Sequence, residues 1–232
     1  MQLLLDNLIA SVVLAVLTVA LVGQHTRVRQ ASVERTAVYA AKVHLLGLAA
    51  VVEADVDRLS NGRSAGPGRL RVSAVDRAGV AHTDTVAFSY DRPTSGPGRV
   101  LRVEVRYVLE RDAAAHVVAE RGPDGDVEVP VYRLRRDTLA GPYDVTVDPA
   151  AGDPWVGGRP AWTETAGYRA PPGLARFHVE PLDALGRPAP AADAVAARFH
   201  LAVVPTLFPL HEARTAPPSG LHWATTLAVR AH

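Results

Sequence analysis

The first 62 residues constrain the fold more than any other part of the sequence. Residues 8–22 carry no charge and no proline, and the only helix breakers before Asn61-Gly62 are Gly23 and Gly47. We predict one helix over residues 3–59, which at 1.5 Å per residue would be about 86 Å long. An average globular helix has only about 12 residues. A helix this long and apolar cannot be the core of a 232-residue monomer, so it must be buried in something else.

The apolar first part of this helix has three possible interpretations. A cleaved secretory signal would have basic residues before its apolar segment, and none precedes Leu8. A membrane anchor fits the length, because residues 3–23 would span about 31 Å as a helix, close to the thickness of a bilayer. In that case Arg27 and Arg29 would place the carboxyl end in the cytoplasm, and Asp6 would need water or a partner. The third interpretation is an assembly helix that lies in a membrane only before the chain polymerises. This interpretation explains both the length of the helix and the presence of Asp6.

The second part of the helix is amphipathic, with two apolar rows. The first row recurs at spacings of three and four residues and is predicted to pack on the chain's own domain. It comprises Val38, Ala41, Leu45, Leu48, Val52, Val56 and Leu59. The second row, Tyr39, Val43, Leu46 and Ala50, lies beside it and would need a neighbouring molecule. The alternative is that the domain covers both rows.

Alternating apolar and polar residues from Arg69 onward predict a meander of strands. Turn signals lie at residues 77–79 and at Asp124-Gly125. The predicted strands fall within residues 69–76, 80–90, 99–111, 113–121, 127–136, 143–148, 174–186, 195–205 and 221–232. The predicted fold class is therefore α+β, with a long N-terminal helix in residues 1–62 followed by a mostly antiparallel, β-rich globular domain in residues 63–232.

A long segment with little periodicity interrupts the strands at residues 149–173. It contains five prolines, five glycines and two tryptophans, Trp155 and Trp162. Long loops inside compact domains are usually functional or disordered. Because tryptophan is enriched at interfaces, we predict an ordered loop that could contribute to a subunit interface.

The N-terminal residues resemble a known family. The opening Leu3-Leu4-Leu5-Asp6-Asn7-Leu8-Ile9-Ala10 and the apolar run to Val22 look like the helix of type IV pilins and type II secretion pseudopilins. The carboxyl segment FHVEPLDALGRPAPAADAVAARFHLAVV resembles the J-type pseudopilins and related minor pilins in its order of strand, Asp-x-x-Gly turn, proline-containing link and strand. The chain departs from the family in having aspartate where glutamate is usual, one position later if Met1 is the mature first residue.

The resemblance implies a structural subunit of an extracellular type IV pilin-like filament, anchored in the inner membrane before assembly. In that family the acid near the start meets the terminal amine of a neighbouring subunit, which implies such a role for Asp6. The expected assembly residues are Leu3, Leu4, Leu5, Asp6, Leu8, Ile9, Val12, Val13, Val16, Val19, Tyr39, Val43 and Leu46. The expected partners are copies of the chain and the pilus or secretion assembly machinery. A minor pilin or pseudopilin that primes or tips such a machine, and a single-pass membrane protein with a β-rich binding domain, are the alternatives.

The sequence gives no sign of an enzyme or a nucleic-acid-binding protein. It has no phosphate-binding loop, nucleophile elbow or HExxH motif, and no cysteine. Its 25 basic and 24 acidic residues are interspersed, which argues against a basic nucleic-acid surface. His178 and His200 hold equivalent places in similar strands and could face each other, and we interpret them as packing or surface residues rather than metal ligands. Asp55 and Asp57 are two residues apart and cannot share a helix face. We therefore expect no catalytic residues, cofactor or metal.

Overall fold

The computed structural model describes residues 2–61, 70–77, 80–94, 98–111, 118–122, 125–129, 131–169, 173–203 and 221–229. These residues form one helix, α1 (Gln2–Asn61), and ten strands. The strands are β1 (Leu70–Arg77), β2 (Val80–Pro93), β3 (Arg99–Arg111), β4 (Val118–Gly122), β5 (Gly125–Val129), β6 (Tyr132–Asp144), β7 (Thr163–Arg169), β8 (Leu174–Leu182), β9 (Ala196–Val203) and β10 (Leu221–Ala228). The predicted fold class is confirmed.

Eight of the described strands form one antiparallel sheet in the order β1-β2-β3-β6-β8-β9-β10, with β7 paired to β6 beside this path. The pairing of β3 with β6 forms its centre and extends from Arg99 opposite Asp144 to Arg111 opposite Tyr132. Within the described residues, β8 pairs with β6 through Leu174 opposite Tyr132. A hydrogen bond of 2.8 Å from the Val179 amide to the Thr83 hydroxyl also links β8 to β2. β4 and β5 form a separate two-stranded sheet.

The chain divides into two compact units, Met1–Ala40 and Ala41–His232. The second unit thus includes the last part of α1, whereas the sequence pattern placed the domain boundary after residue 62. Packing explains the difference, because one face of this part of the helix belongs to the main apolar core of the unit. The buried residues on that face are Ala41, Leu45, Leu48, Val52 and Val56.

The first apolar row is therefore confirmed from Ala41 to Val56. Val38, in the other unit, is 46% exposed, and the side chain of Leu59 lies outside the described residues. In the second row Val43, Leu46 and Ala50 are exposed. The idea that the domain covers both rows is wrong, because the apolar surface of the helix is wider than the face that the sheet covers.

The two faces of the sheet differ in character. On the face packed against α1, β3 presents Val103, Val105, Tyr107 and Leu109, all buried. On the other face, β3 presents Arg102, Glu104 and Arg106, with Asp137 and Leu139 of β6 beside them. The predicted alternation of β3 is correct, although the charged face is not simply solvated.

The segment after β6 folds onto this second face. Leu139, Tyr143 and Trp155 form a small separate core there, with Val100 and Trp162 packed against it. Gly141 lies beneath the segment, where a Cβ atom would stand 2.6 Å from Cγ of Pro160. This position therefore has room only for glycine.

The predicted strand over residues 143–148 is wrong. β6 already extends to Asp144, and the next residues turn. The Asp144 carboxylate accepts hydrogen bonds from the Thr146 amide at 2.9 Å and from the Thr146 hydroxyl at 2.6 Å. Such local bonds compete with a strand ladder. The predicted loop at residues 149–173 is also too long, because it contains β7.

The predicted Asp-x-x-Gly turn after β8 is confirmed. The Asp183 carboxylate accepts from the amides of Leu185 at 2.8 Å and Arg187 at 2.9 Å. Gly186 has φ of +75°, a conformation that glycine adopts cheaply. Hydrogen bonds at this turn lower the pKa of Asp183, chiefly the one donated by the Arg187 amide.

Candidate functional site

The first candidate site is the apolar surface of α1 between Ala10 and Val22. All eight large apolar side chains of this stretch are between 53 and 73% exposed. They are Val12, Val13, Leu14, Val16, Leu17, Val19, Leu21 and Val22. Burying one such side chain fully is worth about 1.5–3 kcal/mol. Such a surface is of the kind that a membrane could cover.

Two threonine hydroxyls, one within this stretch and one shortly after it, bond to carbonyls of the helix itself. The Thr18 hydroxyl donates to the Leu14 carbonyl, and the Thr26 hydroxyl donates to the Val22 carbonyl, each at 2.8 Å. Such back-bonding leaves no hydroxyl proton that needs water. These threonines are therefore compatible with an apolar environment, where every polar group must be satisfied internally.

The predicted assembly residues fall into two groups. Leu3, Leu4, Leu5, Asp6, Leu8 and Ile9 lie within α1, but their side chains are outside the described residues. The side chains of Val12, Val13, Val16, Val19, Tyr39, Val43 and Leu46 are all exposed. Their contact with other copies stays a prediction.

Within the described residues, one helix is long and apolar enough to cross a membrane, by length and composition. That helix is α1, and its stretch Ala10–Arg58 meets the requirement. The N-terminal helix could therefore anchor the chain in a membrane.

The second candidate site is a buried carboxylate that fixes α1 to the sheet. Asp55 is 1% exposed and faces Tyr107 of β3 and Arg136 of β6, which are opposite each other in the sheet. Arg136 donates to both carboxylate oxygens, from Nε at 2.6 Å and from Nη2 at 2.8 Å. The Tyr107 hydroxyl donates a hydrogen bond of 2.6 Å to Oδ2 of Asp55, the same oxygen that accepts from Nε of Arg136. Arg136 also donates to the Thr165 hydroxyl of β7 at 2.8 Å.

The hydrogen bonds of this cluster join α1 to β3 and to β6, and they join β6 to β7. Burial opposes the charge of Arg136, but the hydrogen bonds and attraction of Asp55 outweigh it and raise the pKa of Arg136 above its ordinary value. The Arg58 guanidinium adds a contact of 3.2 Å to Asp55 from the exposed side. The bidentate geometry fixes direction as well as distance, so the cluster specifies how this part of α1 lies on the sheet.

The burial of Asp55 was not predicted from its spacing to Asp57. A usable signal was present, however. Asp55 lies three residues after Val52 and beside Val56, within the apolar row that packs on the domain. A carboxylate on a core-facing row needs a buried partner, and Arg136 lies in the predicted strand YRLRR.

Charged and aromatic side chains alternate on the second face of the sheet. Arg102 donates to both oxygens of Asp91 at 2.8 and 2.9 Å, and its guanidinium lies 3.5 Å from the ring centre of Tyr143. Arg106 donates to Asp137 at 2.6 Å and lies 4.3 Å from the Trp162 ring centre. In this described part of the face, each of these two arginines therefore pairs with a carboxylate and lies over an aromatic ring.

Asp137, on the same face, accepts hydrogen bonds from two arginines. Arg135 donates to it from Nε at 2.9 Å and also pairs with Glu110, while Arg106 approaches from β3. Burial raises the pKa of Asp137, but the hydrogen bonds from Arg106 and Arg135 outweigh this effect and lower the pKa below its ordinary value.

The two tryptophans of the predicted interface loop lie on this face. Trp155 is only 8% exposed, and its ring meets Tyr143 edge-on at 5.2 Å. Trp162 is half-buried beneath Arg106. Both tryptophans thus contact side chains of their own chain, and the role of the loop in a subunit interface stays a prediction.

His178 and His200 do face each other. They are opposite residues of β8 and β9, and their rings stack with centroids 5.9 Å apart. Burial, and then the nearby Arg176, lower the pKa of both imidazoles. Across the part of the chain that the structure describes, no group of three or more histidine, aspartate or glutamate side chains is placed to hold a metal ion.

Comparisons with known protein families, with characterised proteins and with experimentally solved structures found no match to this chain.

Proposed function

We propose that the chain is a structural subunit of an extracellular type IV pilin-like filament that polymerises through α1. Before assembly, the apolar stretch of residues 8–22 would lie in the inner membrane. During assembly, the same stretch would exchange lipid for the helices of neighbouring copies. In lipid the hydrophobic driving force largely disappears, so close packing and pairing of Asp6 would have to hold the helices together.

One observation carries the proposal: apolar side chains of α1 remain exposed well beyond the length that a bilayer would cover. Residues 3–23 would account for a membrane segment. Val43 and Leu46 lie beyond the end of that segment, by about 20 residues or more, and are still about half exposed. A membrane segment would not reach Val43 and Leu46, so a neighbouring copy would have to cover these two side chains.

The length and composition of α1 also favour a second candidate function. A single-pass membrane protein with a β-rich binding domain needs only the apolar stretch of the helix. That function gives Val43 and Leu46 no role, which is why we place it second. A minor subunit that primes or tips a filament would use the same helix surface and would differ in abundance.

Electron microscopy of sheared surface material separates these functions. Abundant filaments composed of this chain are expected for the main subunit. Traces confined to filament tips would instead indicate a minor subunit. A chain that stays with the cells and is released only by detergent, as a monomer, would contradict the filament proposal.

Replacement of Asp6 tests the pairing step of assembly. Asp6→Ala should block assembly, because a terminal amine in the filament core would lose its partner, while the domain stays folded. Asp6→Glu is the matched control, since it keeps the charge and should assemble. Normal filaments from Asp6→Ala would show that the acid is not needed.

A further inference from the structure

The two outer strands of the described sheet are protected to very different degrees. β1 carries Arg71, Asp76 and Arg77 and has a register irregularity between Ser73 and Ala74. Charges and bulges are the usual means by which edge strands avoid pairing with other chains. β10, at the other edge, pairs with β9 through all eight of its residues without a register shift.

β10 also differs from the other strands in composition. Its sequence, LHWATTLA, contains no charged residue, no proline and no glycine. Every one of the other nine described strands contains a charged residue. An uncharged, regular edge strand is the kind that accepts a further strand through its free backbone groups.

The core beneath β10 is incompletely covered. Phe199 and Leu201 of β9 are each 1% exposed. Leu221, Trp223 and Leu227 of β10 pack against the same core but are only partly buried. A strand added beside β10 would remove more of these three side chains from water.

We propose that β10 pairs antiparallel with β10 of a second copy of this chain. Two identical strands in this arrangement place their half-buried rows on the same face, so the two cores would become continuous. The exposed row of β10, which is His222, Ala224, Thr226 and Ala228, consists mostly of small side chains. No like charges would meet across the new ladder.

This contact is separate from assembly through α1. A contact between identical strands closes on itself around a two-fold axis and cannot extend a polar filament. It would join two chains side by side, either before assembly or between neighbouring filaments. The inference therefore stands or fails independently of the proposed function.

Disulfide cross-linking of the full chain in detergent micelles tests the contact. The chain has no cysteine, so one substitution gives an unambiguous signal. Cysteine would be placed in turn at His222, Ala224, Thr226 and Ala228, with Ser73→Cys on β1 as the matched control. Residues opposite each other across a ladder lie within disulfide range near the two-fold axis. A residue four positions along is about 13 Å further on.

We expect the yield of cross-linked dimer to be highest for one cysteine position of β10, or for a mixture of two chains with cysteines at neighbouring positions of this row. The yield should fall for positions on either side. Ser73→Cys should give none. No cross-linking at any β10 position would overturn the proposal and would indicate that the edge is covered within the chain. Cross-links only in a mixture of Ala224→Cys with Ser73→Cys chains would overturn it in favour of head-to-tail pairing.

A charged edge provides an independent check. Ala224→Lys combined with Thr226→Lys should abolish the dimer seen by light scattering in detergent, and Ser73→Lys should leave it intact. Dimers that survive both lysines would contradict strand pairing. Filaments of the double variant should still form if α1 alone drives assembly. If β10 cross-links form but no filaments are found, the inference stands and the proposed function is refuted.

Discussion

Polar and apolar side chains are distributed in opposite ways in the two units of this protein. In residues 10–36 of α1, large apolar side chains are exposed, and threonine hydroxyls bond to their own helix. In the unit that begins at Ala41, charged groups such as Asp55 and Asp137 are buried with arginine partners. Asp55 and Asp137 of the second unit have their partners within the chain, whereas the described apolar side chains of the first unit form a largely exposed surface.

The two units thus differ in how far their side chains are paired or covered within the chain. Buried ion pairs add little net stability compared with apolar replacements, yet they are costly to break. They therefore fix one arrangement of α1 on the sheet. The exposed apolar stretch of α1 does not fix an arrangement of the helix by itself. Its apolar character only determines that a molecule binding there must also be apolar.

The largest effect on folding is expected for Asp55→Ala. This change leaves the Arg136 guanidinium buried without its carboxylate, and breaking a buried pair in this way costs about 3–5 kcal/mol. Chemical denaturation of the chain in detergent would measure the loss. Glu53→Ala, an exposed acid on the same helix, is the control and should change the free energy of unfolding by less than about 0.5 kcal/mol.

Removal of both charges would sharpen the interpretation. Asp55→Leu combined with Arg136→Met should recover most of the stability, because no unpaired charge remains. If the double variant is as unstable as Asp55→Ala, packing rather than pairing dominates at this position.

A smaller loss is expected for Gly141→Ala on the second face of the sheet. The added methyl would meet the Pro160 ring at 2.6 Å, and overpacking of this kind costs about 1–3 kcal/mol. Trp155 fluorescence should shift as the segment over Gly141 moves. Gly152→Ala is the matched control, since its Cβ would meet Val147 at an ordinary 3.6 Å. Equal stability of the two variants would contradict the close packing of this segment.

A weaker effect should come from pH through His178 and His200. Their pKa values are lowered in the folded chain by burial and by Arg176, so folding favours the neutral imidazoles. The stabilisation is full above the unfolded pKa of about 6.5 and is lost as the pH falls through it toward the folded values. Denaturation midpoints at about pH 7.5 and pH 5 would show the loss. Replacing both histidines, with His178→Gln and His200→Gln in one chain, should reduce this loss.

The long helix and most strands could be predicted from the sequence because they depend on local periodicity. The row from Ala41 to Val56 and the alternation of Val103, Val105 and Tyr107 are patterns of this kind. The partners of Asp55 could not be predicted, because Arg136 is 81 residues away and only the sheet brings them together. The end of β6 was missed for a different reason, since a single carboxylate, Asp144, decides it locally.

The smallest effect on folding, and the largest on assembly, is expected for Leu46→Glu. Leu46 is 54% exposed in the second apolar row, so a carboxylate there should leave the free energy of unfolding nearly unchanged. His44→Glu places the same carboxylate two residues away at another exposed position of the helix. Both variants should fold and reach the membrane like the native chain.

The most direct test of the filament account is therefore electron microscopy of sheared material from cells that express these two variants. The account predicts no filaments from Leu46→Glu and normal filaments from His44→Glu, because only Leu46 would face a neighbouring helix. Normal filaments from both variants would contradict that account and leave α1 as a membrane anchor with a partly covered second half.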